Sequence, residues 1–135
     1  MSSKALVYSA EVVAKHKVCG RAIVIKGAIS FLGDVDPERC AIATHGKSLR
    51  GSIIAVEKFR GSTVGAYVIM ALKKRGCELV GIVCSKPDPV VVAGCVLAEI
   101  PLAYGVPTEF FDRVSDGKVV CIDPVGKVII CGEEF

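Results

Sequence analysis

The chain has 135 residues, 52% of them hydrophobic and 23% charged, with a formal net charge of +3 at pH 7; this is the make-up of one compact, soluble domain with a buried core, not of a disordered segment. The small positive charge is not gathered into a basic stripe with interleaved aromatics, which sets nucleic-acid binding aside. The apolar run over residues 89–107 is broken by Gly94, Glu99, Pro101 and Gly105, and residues 1–8 lack the long apolar core and cleavage site of a signal peptide, so neither a membrane span nor export is expected and a cytoplasmic location is.

In chain order, residues 1–11 are ambiguous between a strand and a frayed end. The β-branched runs over residues 12–17 and 21–26 predict two strands parted by a turn at Cys19-Gly20. Residues 27–39 read as a short apolar strand running into a loop dense in Gly, Asp and Pro. Asp34 and Asp36, two apart, are too few carboxylates for a dedicated cation cage, and are read as residues capping their own loop. His45 stands in a polar loop, either turned to solvent or facing a cleft.

A strand over residues 53–56 then feeds the stretch on which the rest turns, residues 58–67. From Val64 the apolar residues Val64, Tyr67, Val68, Ala71 and Leu72 repeat as a core-facing helix requires, with Lys73, Lys74 and Arg75 at the carbonyl end and Gly76 as a stop. Ser62 therefore falls at or beside a helix N-terminus. One reading makes it an N-cap, worth about 1 kcal/mol. The other notes a glycine, two hydroxyls, an arginine and unpaired N–H groups in one place, where anions bind and an alkoxide is stabilised; Ser62 would then be a base.

Further on, residues 79–84 form a continuous apolar run suited to a strand covered on both faces. Asp88-Pro89 predicts a helix start, and the helix continues over residues 90–99 to Pro101. Residues 102–104 read as a short strand, and residues 118–122 and 127–131 as a hairpin around a turn-rich tetrapeptide. The sum, two or three helices and about seven strands, is an α/β fold with a mixed, barrel-like or layered sheet.

The seven cysteines are scattered, none at a C-x-x-C spacing and most in apolar surroundings. They read as reduced, buried thiols, and no metal site is expected on this chain. There is no nucleophile elbow, phosphate loop or H-E-x-x-H motif either, so a catalytic Ser62 would need an electrophile from another chain.

Three blocks carry a family resemblance: Gly27-Ala28-Ile29-Ser30-Phe31-Leu32-Gly33-Asp34-Val35-Asp36-Pro37, Arg60-Gly61-Ser62-Thr63, and the region from Gly94 that ends in Tyr104-Gly105-Val106-Pro107. Over residues 12–131 the chain resembles the small subunit of the aconitase X family. The resemblance implies a single swivelling β/β/α domain, residues 1–135, docked as a heterodimer on a large subunit that carries a [4Fe-4S] cluster. It implies a hydro-lyase acting on (R)-5-phosphomevalonate in the archaeal mevalonate pathway, or on cis-3-hydroxy-L-proline in a related form, with Ser62 as proton acceptor and iron of the partner's cluster as Lewis acid. Arg60, Gly61, Thr63 and His45 are the accompanying substrate-binding candidates. Thr63 and Ala66 stand where many members carry further serines, and His45-Gly46 where many carry His-Pro.

Carbon-acid chemistry asks much of such a base. Each pKa unit is worth about 1.36 kcal/mol, and one helix end supplies only about 0.3–2 kcal/mol, so the partner's side of the cleft must supply the rest. The rival reading is a non-catalytic module that docks a partner or an anion at the Gly61-Ser62 corner.

Overall fold

The structure, a computed structural model, describes residues 5–61 and 63–132. Its elements in order are β1 (Leu6–Ser9), β2 (Glu11–Val13), β3 (Val18–Ile29), α1 (Phe31–Asp34), β4 (Val35–Asp36), β5 (Ala41–Ile42), a 3-10 turn (Ala43–His45), β6 (Lys47–Ser48) and β7 (Ser52–Phe59). Then follow α2 (Gly65–Lys74), β8 (Leu79–Cys84), α3 (Pro89–Ala98), β9 (Leu102–Tyr104), α4 (Glu109–Arg113), β10 (Val119–Asp123) and β11 (Lys127–Ile130).

Eight strands form one mixed sheet in the order β1-β11-β10-β3-β7-β8-β9-β2. Its two outermost strands, β1 and β2, are separated in the chain by Ala10 alone, so the sheet must curl until its edges meet. That closure makes it barrel-like and leaves little open edge. Strand alternation then sorts the side chains into two cores. Ala22, Ile53, Ala55, Val83, Ala103, Val120 and Ile122 point inward with Phe110 and Phe111 of α4. Ile23, Ile25, Ile54, Val56, Ile82 and Leu102 point outward, under Phe31, Ile69, Leu72, Val91 and Cys95 of the helical layer. Three alanines, Ala22, Ala55 and Ala103, leave room inside the curled sheet for the rings of Phe110 and Phe111.

α2 and α3 are the crossovers of two strand-helix-strand units, β7-α2-β8 and β8-α3-β9, whose strands pair in parallel. They press together at Gly94, where a Cβ would come within 2.9 Å of the Ala66 Cα; the absent side chain is what lets the two backbones approach.

Several expectations need correction. Cys19-Gly20 is not a turn: β3 runs unbroken through it for 12 residues, and a Cβ on Gly20 would meet the Gly51 carbonyl at 3.0 Å and the Val80 Cβ at 3.1 Å. The glycine there serves a crossing of backbones. The described residues hold four α-helices, and a second, three-stranded sheet β4-β5-β6. The cysteines are not all reduced: Cys19–Cys121 and Cys40–Cys77 are disulfides, leaving Cys84, Cys95 and Cys131 as thiols. No helix among the described residues is long and apolar enough to cross a membrane.

Candidate active site

Strands β3, β7, β8 and β9 are consecutive and parallel, so their carboxyl ends open on one side, the carboxyl edge, which is where parallel α/β sheets, open or curled into barrels, place ligands. Three of the loops on that edge are laced by main-chain bonds. The Glu57 carbonyl accepts from the N–H groups of Ser85 (3.1 Å) and Lys86 (2.9 Å), and the Ser85 carbonyl accepts from Gly105 at 3.1 Å.

Arg60 leaves β7 into this edge. Its N–H donates to the Ile29 carbonyl at 2.9 Å, Nη1 to the Ala28 carbonyl at 3.3 Å and Nη2 to Asp34 Oδ2 at 2.7 Å. The same Oδ2 accepts the Ser30 N–H at 2.8 Å, while Ser30 Oγ caps α1 by accepting from Gly33 at 3.2 Å. Asp34 is thus a loop-capping aspartate, and also the partner of Arg60. The Asp34 side chain is 11% exposed and that of Arg60 59%, so one flank of the guanidinium is tied down and the other faces solvent. Asp36 caps its own turn, accepting from Glu38 at 3.0 Å.

Gly61 and Thr63 are exposed. The Gly61 Cβ direction points at Asp88 Oδ2, 3.4 Å away. Asp88 caps α3 with its other oxygen, accepting from Val90 at 2.8 Å and Val91 at 3.2 Å, so the first donors of α3 are satisfied within the chain. The N-cap of α2 is Val64, not Ser62; the candidate base precedes the cap by two positions and itself lies outside the described residues. A valine side chain has no acceptor for the first turn of its helix.

His45 is placed elsewhere. It is exposed at the end of the 3-10 turn, its Nδ1 3.0 Å from Thr44 Oγ1, and no hydrogen bond or ion pair joins it to Arg60, Gly61 or Thr63 among the described residues. Its field acts on Asp116, whose carboxyl is held below the usual carboxylate range mainly by a hydrogen bond from Lys47, then by the Val24 N–H, with His45 the smallest contributor.

A cavity of about 800 Å³ is lined by Lys73, Glu78, Cys95 and Glu99, at the C-terminal ends of α2 and α3, and a smaller one of about 360 Å³ by Ser115–Val119 residues and Cys131. Neither is lined by Arg60, Gly61 or Thr63. The cysteines do not fit an iron–sulfur cluster: four are disulfide-bonded, and burial pushes the Cys84 and Cys95 thiols up to about 12, whereas a cluster binds thiolates.

Sequence reasoning missed the Asp34–Arg60 pair and the approach of Asp88 to Gly61. The signal for both was the strand-loop-helix repeat, which puts successive loops on one edge.

Residues 7–130 match the aconitase X swivel domain. The chain belongs to the aconitase X swivel-domain family. It is 48% identical over 113 residues, 84% of each chain, to the phosphomevalonate dehydratase small subunit of Aeropyrum pernix. It is 40% identical over 126 residues to the protein of that name from Pyrococcus abyssi, covering 89% of this chain and 95% of the relative. Among solved structures, a chain of holo-form aconitase X from Thermococcus kodakaraensis superposes with a TM-score of 0.84 at 31% identity, over 93% of this chain and 98% of that one. The fold described above is therefore shared with that aconitase X chain.

Proposed function

We propose that the chain is the small subunit of a phosphomevalonate dehydratase, a hydro-lyase that converts (R)-5-phosphomevalonate to trans-anhydromevalonate 5-phosphate, and that it contributes Ser62 as the proton acceptor. The observation that supports the reading is the place of Arg60, Gly61 and Thr63: they follow β7 at the carboxyl edge of four parallel strands, between the N-termini of α2 and α3, in a chain closely similar to small subunits of that name. The whole chain acts as one swivel domain in the cytoplasm, and a large subunit supplies the iron–sulfur cluster that the cysteines of this chain do not fit.

Dehydration takes a proton from one carbon while hydroxide leaves its neighbour. The base must face the C–H bond, and it must be held there before the substrate arrives. Arg60 does the holding. With one flank on Asp34 its charge is partly offset, so it fixes the start of the loop to β3 and α1 more than it raises the acidity of a nearby hydroxyl. Its exposed flank is available to an anionic substrate, with the Gly61 and Thr63 amides beside it. His45, in its separate cluster, meets substrate only if the partner brings it there.

The test is co-expression with the large subunit and assay on both candidate substrates. Turnover of (R)-5-phosphomevalonate is expected. Turnover of cis-3-hydroxy-L-proline alone would overturn the substrate assignment, and a stable complex that turns over neither would leave a docking module.

A further inference from the structure

Away from that edge, three sulfurs stand together. Cys19, near the start of β3, faces Cys121 of β10 across the antiparallel ladder and is bonded to it, with Cα atoms 4.1 Å apart. Cys131 follows β11, and its N–H donates to the Val119 carbonyl at 2.9 Å, which carries the β10–β11 ladder past the Val120↔Ile130 pair. Residue 131 therefore lies on the face of the hairpin that carries Cys121, diagonal to it. The Sγ atoms of Cys121 and Cys131 are 3.9 Å apart. Cys131 is half-buried and lines the cavity of about 360 Å³ with Ser115, Asp116 and Lys118, while Cys19 is exposed. The other two thiols, Cys84 and Cys95, are sealed in the core.

We propose that these three residues form an internal thiol–disulfide exchange site, with Cys131 as the attacking thiol. The Cys131 thiolate attacks Cys121 Sγ; the Cys121–Cys131 bond forms, the Cys19–Cys121 bond breaks, and Cys19 leaves as a thiolate that takes a proton from water. One disulfide stands before and after, so no oxidant or reductant is consumed. The outcome differs mechanically. A staple between residues 102 apart becomes one between residues 10 apart, so β3 keeps its ladder to β10 but loses the covalent tie, and the unfolded chain is constrained far less. Cys19 becomes an exposed thiol, open to a small disulfide such as oxidised glutathione.

The test uses the full chain purified without reductant, incubated at mildly alkaline pH with N-ethylmaleimide, quenched in acid, digested with pepsin and mapped by mass spectrometry. The wild type should give both Cys19–Cys121 and Cys121–Cys131 linkages, with Cys19 alkylated in the second form. Cys131→Ser should show the first linkage only and alkylate Cys19 at least tenfold more slowly. Cys19→Ser, treated with oxidised glutathione, should form Cys121–Cys131. A wild type holding Cys19–Cys121 alone, equal Cys19 labelling in Cys131→Ser, or no linkage among the three would each overturn the proposal.

Discussion

The two ends of the parallel strands are held by different means. At the amino ends the chain is locked covalently: Cys40–Cys77 ties the turn before β5 to the segment before β8, and Cys19–Cys121 ties the start of β3 to β10. At the carboxyl ends no disulfide is found among the described residues; the loops are held by the Asp34–Arg60 pair, the Asp88 cap and the bonds on the Glu57 carbonyl, with Phe31 stacked on Phe59 beneath them. A disulfide holds its end without help from a partner, Cys40–Cys77 permanently and Cys19–Cys121 for as long as Cys131 has not exchanged with it. Hydrogen bonds of this kind hold geometry yet can be re-aimed when another surface arrives, which suits the edge at which the proposed large subunit would dock.

The comparison can be broken at four places. Replacing Cys40 and Cys77 together by serine should cost the most, about 2–4 kcal/mol of stability by denaturant unfolding without reductant, with turnover in the assembled enzyme kept at temperatures where the chain stays folded. Gly94→Val comes next: the new side chain would press on the Ala66 backbone 2.9 Å away, costing about 1–3 kcal/mol, and by spreading the N-termini of α2 and α3 beside Gly61 it should lower kcat as well as Tm. Arg60→Ala should cost only about 1 kcal/mol, since the arginine is more than half exposed, but about tenfold or more in kcat; the split between thermal shift and kinetics is the readout. A loss confined to Tm would mean that Arg60 holds no loop that matters.

The smallest effect concerns pH. The Asp116 carboxyl is held below its ordinary value, chiefly by Lys47, so its contribution is present above about pH 3.9, the value of an unperturbed aspartate, and is lost as pH falls through the depressed one. Both side chains are partly exposed, which limits the pair to about 0–1 kcal/mol. Urea midpoints at pH 5 and pH 3 should differ less in Lys47→Ala than in the wild type; an unchanged difference would show that the pair is not formed in solution.

What the residues announced in advance were the features with a local cause. α2, β8, α3 with its Asp88 cap, β9 and the terminal hairpin follow from periodicity and turn chemistry within a few positions. β3 was misread because the reason for Gly20 is Gly51 and Val80, far along the chain. β1 pairs with β11 across the whole sequence, and α4 is five residues long, too short for a periodic signal. The disulfides join residues 102 and 37 apart, which no spacing rule detects. Around the candidate site, Arg60, Gly61 and Thr63 are legible as near neighbours in the chain; Asp34, the arginine's partner, is not, because it lies 26 residues earlier, and the sequence could not show that His45 contacts Thr44 and acts on Asp116.

The central claim is that this chain donates the base. Ser62→Ala, reconstituted with the large subunit and assayed for loss of (R)-5-phosphomevalonate, tests it most directly. Assembly with turnover abolished is the predicted result; assembly with turnover near that of the wild type would contradict it.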